Sequence, residues 1–134
     1  MQHLAFRRIL GSTLLVASFA VLAACSSMSS APAAPAKIAD GVFTDSKGMT
    51  LYTFDKDTVP GKSACNGPCA TNWPPLAVAD GATASGDWSV VTRDDGKKQW
   101  AYKGKPVYTW AKDMKPGDKT GEGMAGNTWH VAKP

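Results

Sequence analysis

Aromatic and polar positions alternate along much of this chain. Tyr52 and Phe54, Trp100 and Tyr102, and Tyr108 and Trp110 are each two residues apart, and Trp88 with Val90 continues the spacing. Side chains two apart share one face of a β-strand. The pattern predicts an all-β protein whose aromatics are the buried faces of packed sheets. The other use of such a face is a platform for a sugar or another flat ligand. Turn clusters mark the strand ends. Asp45-Ser46-Lys47-Gly48 separates residues 42–44 from 49–54, a hairpin signal. Asp94-Asp95-Gly96-Lys97 separates residues 88–93 from 98–103, and its Asp-Gly pair suits a turn with positive φ. Lys103-Gly104-Lys105-Pro106 then turns the chain into a strand over 107–111, and residues 128–132 make the last one.

The alternation is written twice. At an offset of 56, Lys47, Gly48, Tyr52, Thr53, Lys56, Asp57, Pro60, Gly61 and Trp73 fall on identical residues, from Lys103 to Trp129. Leu51 falls on Val107 and Phe54 on Trp110, which keeps the chemistry. An internal repeat of this length predicts two pseudo-symmetric, antiparallel halves in one small domain. The halves are expected at about residues 40–79 and 95–134, with the polar stretch 80–86 as the seam. Asp57 and Asp113 stand where a strand gives way to a Pro-Gly loop. A carboxylate there is expected to accept backbone N–H groups of the loop. A cation or acid–base role is the alternative, if the two carboxylates meet across the pseudo-twofold axis.

The first 38 residues have a different character. Arg7 and Arg8 precede an apolar run at residues 9–22, too short for a comfortable membrane span and of signal-peptide length. Leu22-Ala23-Ala24-Cys25 follows and resembles the bacterial lipobox. That resemblance implies cleavage after residue 24 and lipidation of Cys25, so that membrane lipid is the first partner. Residues 25–38 are rich in Ser, Ala and Pro and read as a tether, leaving 39–134 as the folded domain. Without Arg7 and Arg8 the chain carries 13 basic and 11 acidic residues, a net charge of +2. With the lysines scattered, this balance does not suggest a nucleic-acid partner.

Export sends the remaining cysteines, Cys65 and Cys69, to an oxidising compartment, where an even pair reads as a disulfide. A short helical turn ended by Pro74 and Pro75 would bring residues four apart onto one face. Redox or copper chemistry is the runner-up for this pair, with Met114, Met124 and His130 as soft or borderline ligands. Covalent haem needs Cys-x-x-Cys-His, and thioredoxin chemistry needs Cys-x-x-Cys in a βαβ pattern; neither is present. No grouping suggests catalysis, a metal centre or a cofactor.

The doubled Tyr-x-[Phe/Trp]-x-x-Asp motif, Tyr52/Phe54/Asp57 and Tyr108/Trp110/Asp113, resembles bacterial predicted lipoproteins built from a secreted repeat of unknown function. Trp73-Pro74-Pro75, Asp95-Gly96 and Gly126-Asn127-Thr128-Trp129 extend the likeness over nearly all of residues 40–134. The resemblance implies an exported, anchored β-rich module and no particular activity. The expected protein is a non-enzymatic envelope lipoprotein that meets an envelope protein or a small ligand. In a Gram-negative host, Ser26 after the lipidated Cys implies the outer membrane.

Overall fold

The computed structural model describes residues 34–134. The signal segment, Cys25 and most of the tether lie outside the described residues. In chain order the elements are β1 (Lys37–Ala39), β2 (Val42–Thr44), β3 (Tyr52–Phe54), α1 (Pro68–Asn72), β4 (Trp88–Thr92), β5 (Lys98–Tyr102), β6 (Lys105–Pro106), α2 (Met124–Asn127) and β7 (Trp129–Val131). All strand pairings are antiparallel.

The fold begins earlier than the composition suggests. Lys37 pairs with Thr44 and Ile38 with Phe43, so both belong to β1 and not to the tether. The β1–β2 turn is Asp40-Gly41, with φ of 49° and 74°. Two positive φ values give the turn whose twist matches a hairpin. The expected pairing around residues 45–48 is present but brief. Thr44 bridges Thr50, and Leu51 N–H donates to the Phe43 carbonyl at 2.9 Å. β3 then leaves β2 and pairs with β7, placing Phe54 opposite Trp129. The second hairpin forms as predicted, with Trp88 opposite Tyr102 and Thr92 opposite Lys98; β6 adds to its edge.

The two halves are interleaved. Tyr52 and Tyr108 exchange both backbone hydrogen bonds, at 2.8 and 2.9 Å, across the pseudo-twofold axis. Outward from that pair the bonds repeat. Ala132 N–H donates to Leu51 O at 2.8 Å and Leu76 N–H to Val107 O at 3.0 Å. Asp55 N–H donates to Thr128 O at 2.8 Å and Ala111 N–H to Asn72 O at 2.9 Å. The closing segment of each repeat therefore completes the sheet of the other. The symmetry slips by one residue nearer the hairpins. Phe43 receives Leu51 N–H as Trp100 receives Val107 N–H, an offset of 57. The turn at residues 45–48 carries the extra residue.

The strand expected at 107–111 is a run of single pairings, not a regular ladder. Its partner contains Pro74 and Pro75, which have no N–H to donate, so the ladder cannot close on that side. α1 starts with Pro68 in its first turn, where a missing N–H costs nothing. Its counterpart α2 is not a true helix. Ala125, Gly126 and Asn127 have φ of 53°, 72° and 64°, so the segment is a left-handed turn.

Alternation divides the core in two. Phe43, Leu51, Trp88, Trp100, Val107 and Ala132 pack on one side of the central pairing. Tyr52, Cys65, Trp73, Tyr108, Trp110 and Trp129 pack on the other. Tyr52 and Tyr108 are both fully buried. Tyr52, Tyr108 and Trp110 are thus core, and Phe54 is partly buried against them.

Candidate functional site

The repeated motif meets itself at the pseudo-twofold axis. Tyr52 OH donates to Asp113 Oδ2 at 2.6 Å, and Tyr108 OH donates to Asp57 Oδ2 at 2.6 Å. Each tyrosine therefore serves the aspartate of the other repeat. The second oxygen of each carboxylate holds its own loop. Asp57 Oδ1 accepts Ala64 N–H at 2.6 Å, and Asp113 Oδ1 accepts Thr120 N–H at 3.0 Å. Ala64 and Thr120 are themselves 56 apart. Accepting loop N–H groups is the role expected of these carboxylates; the cross-repeat tyrosine is an addition to it. Burial raises the pKa of both tyrosines, and the hydrogen bond to the partner carboxylate adds to the rise. Burial also pushes the Asp57 carboxyl up, against the pull of the Ala64 N–H and the Tyr108 hydroxyl.

Beside this clasp runs an aromatic column. Phe54 stacks on Trp129 at 4.2 Å between ring centroids, Trp129 on Trp73 at 3.8 Å, and Trp73 on Trp110 at 4.1 Å. Tyr52 meets Trp73 edge-on at 5.3 Å and Tyr108 meets Trp129 edge-on at 5.1 Å. Stacked and edge-on pairs each add roughly 0.5–1.5 kcal/mol beyond their buried area.

The two ends of the clasp differ. The Tyr108 hydroxyl spends its hydrogen on the bond to Asp57, so the hydroxyl of Ser63, 2.7 Å away, donates to Tyr108. Arg93, nearly buried, donates to Ser63 Oγ at 2.9 Å, to Gln99 Oε1 at 2.7 Å and to the Cys65 carbonyl. Sequence reasoning missed Arg93; an arginine at a strand end beside two aspartates looks like a surface residue. Cys65 and Cys69 form a disulfide, with Cα atoms 5.2 Å apart. The pairing expected from export and spacing is therefore present, and Arg93 fixes the carbonyl at its first half. The other end has neither feature. Gly121 stands at the position of Cys65, and its N–H donates to Tyr52 OH at 3.3 Å.

His130 lies apart from the clasp, on β7. Its ring nitrogens face Asp55 Oδ2 at 3.0 Å and Glu122 Oε1 at 3.2 Å, while Glu122 Oε2 accepts Val131 N–H at 2.6 Å. The Glu122 hydrogen bond, then that of Asp55, holds the imidazole pKa above its usual value. The Val131 N–H, above all, holds the Glu122 carboxyl below its own. Met114 is largely exposed and Met124 partly so. Among the described residues, no group of three or more His, Cys, Asp or Glu side chains is placed to hold a metal. Every buried side-chain nitrogen or oxygen among them has a hydrogen-bond partner.

A family described as a secreted repeat of unknown function matches residues 36–77 and again 89–133. The chain belongs to this family. Its two matched segments begin at β1 and within β4, so each repeat unit includes its own N-terminal hairpin. Neither the curated proteins nor the solved structures give a match. Among the described residues no helix is long and apolar enough to cross a membrane.

Proposed function

We propose that this member of the secreted-repeat family is a non-enzymatic binding or interaction module, held at the cell envelope by lipid on Cys25. One observation carries the non-enzymatic part. The motif groups with chemical potential, Tyr52, Asp57, Tyr108 and Asp113, spend their hydrogen bonds on one another and on their own loops. A general acid, base or nucleophile needs a group facing its substrate; these four face inward. The anchor rests on the lipobox at residues 22–25, and the outer membrane on Ser26. A lipidated Cys bearing more than one acyl chain holds a protein stably, as a single chain does not. The redox or copper reading has no such support. Cys65 is fully buried and bonded to Cys69, and among the described residues no donor cluster stands by the pair.

Metabolic labelling with a fatty-acid analogue tests the anchor. Wild type takes the label and Cys25→Ser does not. Equal labelling of both would remove Cys25 as the attachment point. Fractionation of a Gram-negative host then tests the address, and recovery with the inner membrane would overturn it.

A further inference from the structure

The halves share a backbone plan, so residues that break the symmetry were not demanded by it. One such break is basic and lies beside β7, where Lys105 and Lys133 join Lys103, whose own counterpart is Lys47. A cleft of about 270 Å³ is lined by Thr53, Tyr102, Val131 and Ala132 with Lys103, Lys105 and Lys133, and among the described residues no carboxylate lines it. In the other half Lys133 is replaced by Ala77 and Lys105 by Met49. Across β7, a wider cleft of about 680 Å³ shares Val131 and Lys133 and adds Lys119. Two carboxylates line that wider cleft, Asp40 and Glu122, and Glu122 is already held by His130 and the Val131 N–H.

We propose that the cleft between β7 and the β5–β6 turn binds a phosphate-bearing ligand through Lys103, Lys105 and Lys133. Like charges gathered around a concavity focus the potential and attract a counter-charge. A lysine ammonium is a compact point charge suited to phosphate. Among the described residues none of the three lysines forms an ion pair. Asp87 acts on Lys103 from outside the lining. Thr53 supplies a neutral donor. Its counterpart Thr109 turns its hydroxyl to the Pro74 carbonyl at 3.4 Å, whereas Thr53 makes no such bond among the described residues. The inference deepens the binding-module reading by naming the ligand chemistry, a phosphate group, which either a lipid headgroup or a soluble phosphate supplies.

The test is a nuclear magnetic resonance titration of the ¹⁵N-labelled full chain in neutral detergent. Sodium phosphate is added against sodium chloride and sodium acetate at equal ionic strength. Phosphate is expected to give saturable shifts at the amides of Thr53, Lys103, Ala132 and Lys133. Lys105→Met with Lys133→Ala, the residues of the other half, should weaken binding at least tenfold while leaving thermal melting unchanged. Lys103→Gln is the second variant and should weaken it several-fold. In a second arm, neutral phosphatidylcholine bicelles are compared with bicelles containing phosphatidylglycerol. Shifts confined to the anionic bicelles identify a lipid headgroup, and shifts with free phosphate identify a soluble ligand. No saturable shift in either arm, or equal saturation in the variants, overturns the proposal. The titration reads cleft amides alone, so it stands or falls separately from the lipid label on Cys25.

Discussion

Trp73 and Trp129 hold equivalent places in the two repeats and stack on each other, with centroids 3.8 Å apart and planes 3° from parallel. The pseudo-twofold axis thus runs between two copies of one side chain, at the centre of the four-ring column. Little space is left around them. A Cβ added at Gly121 would stand 2.7 and 2.9 Å from two carbons of the Trp73 ring and 3.0 Å from Tyr52. Gly121→Ala is therefore expected to cost about 1–3 kcal/mol, as overpacking does. Trp73→Ala and Trp129→Ala should each cost about 3–5 kcal/mol. Trp73→Phe should relieve Gly121→Ala, so that the double variant melts above the additive expectation. Strict additivity in denaturant melts would mean that the ring does not confine Gly121.

The crossed Tyr–Asp bonds make a second prediction. Each hydroxyl donates to a carboxylate, and a hydrogen bond to a charged partner contributes about 1.5–3 kcal/mol. Tyr52→Phe and Tyr108→Phe should each lose that much, and Tyr→Ala about 3–5 kcal/mol. The coupling must cross the repeats. A double-mutant cycle of Tyr108→Phe with Asp57→Asn should give an interaction energy of about 0.5–3 kcal/mol, and so should Tyr52→Phe with Asp113→Asn. The mismatched cycle, Tyr108→Phe with Asp113→Asn, should be nearly additive. Coupling in the mismatched cycle alone would contradict the crossed arrangement.

That crossing was not legible in the sequence, although its parts were. The repeat, the 88–102 hairpin, the disulfide and the loop-holding aspartates are local features, and local spacing announces them. Tyr52 and Asp113 lie 61 residues apart. Nothing in the motif says whether a tyrosine serves its own repeat or the other. β1 was hidden by composition. Its Asp40-Gly41 turn is a hairpin signal, but the Ser/Ala/Pro stretch before it reads as tether. Arg93 was hidden by its neighbours, since Asp94 and Asp95 suggest a solvated turn while the side chain points inward. The lysine cleft escaped notice for a related reason. Lys103 and Lys105 share one turn that reads as solvated, and the distant Lys133 joins them only when β7 closes on the first half.

The disulfide end of the clasp should depend more on Arg93 than on the cross-link. A bridge between residues four apart closes little chain, so Cys65→Ala with Cys69→Ala should cost roughly 2 kcal/mol. Arg93→Met leaves Gln99 Oε1 and the Cys65 carbonyl without their donor, at about 1–3 kcal/mol for each buried acceptor. Urea melts should therefore rank Arg93→Met as the less stable variant. The native protein should also show no free thiol at residues 65 and 69 until it is unfolded in reductant. The opposite ranking would make the bridge the principal support.

The His130 clasp should titrate within a defined window. The folded imidazole pKa lies above its ordinary 6.5, so its contribution is complete below about 6.5 and is lost as pH rises through the folded value. The Glu122 carboxyl lies below its ordinary 4.5, so its contribution is present above that and lost as pH falls through the lowered value. Both partners contribute fully between these limits. Exposed pairs are screened, and the whole effect should be only about 0.2–1 kcal/mol. The melting difference between wild type and His130→Gln should peak near the middle of the window, shrink on either side and fade in about 1 M salt. A difference that does not vary with pH would show that the clasp holds without its charges.

The interleaved closure makes the broadest prediction. Residues 129–131 complete the first repeat's sheet, and residues 74–76 complete that of the second. A half on its own loses the strand that caps it, the other half's tryptophan from the stack and the acceptor for its tyrosine. Monomeric fragments spanning residues 34–79 and 88–134 should therefore show no cooperative melt and no near-ultraviolet signal from ordered tryptophan. Mixed together, they should regain both. One complication has a physical origin. Because the repeats are alike, a single fragment has the groups to close on a second copy of itself. Sedimentation must accompany each melt, since a folded homodimer obeys the same rule of mutual closure. A fragment that melts cooperatively while sedimenting as a monomer would show that one repeat suffices, and would end the interleaved account.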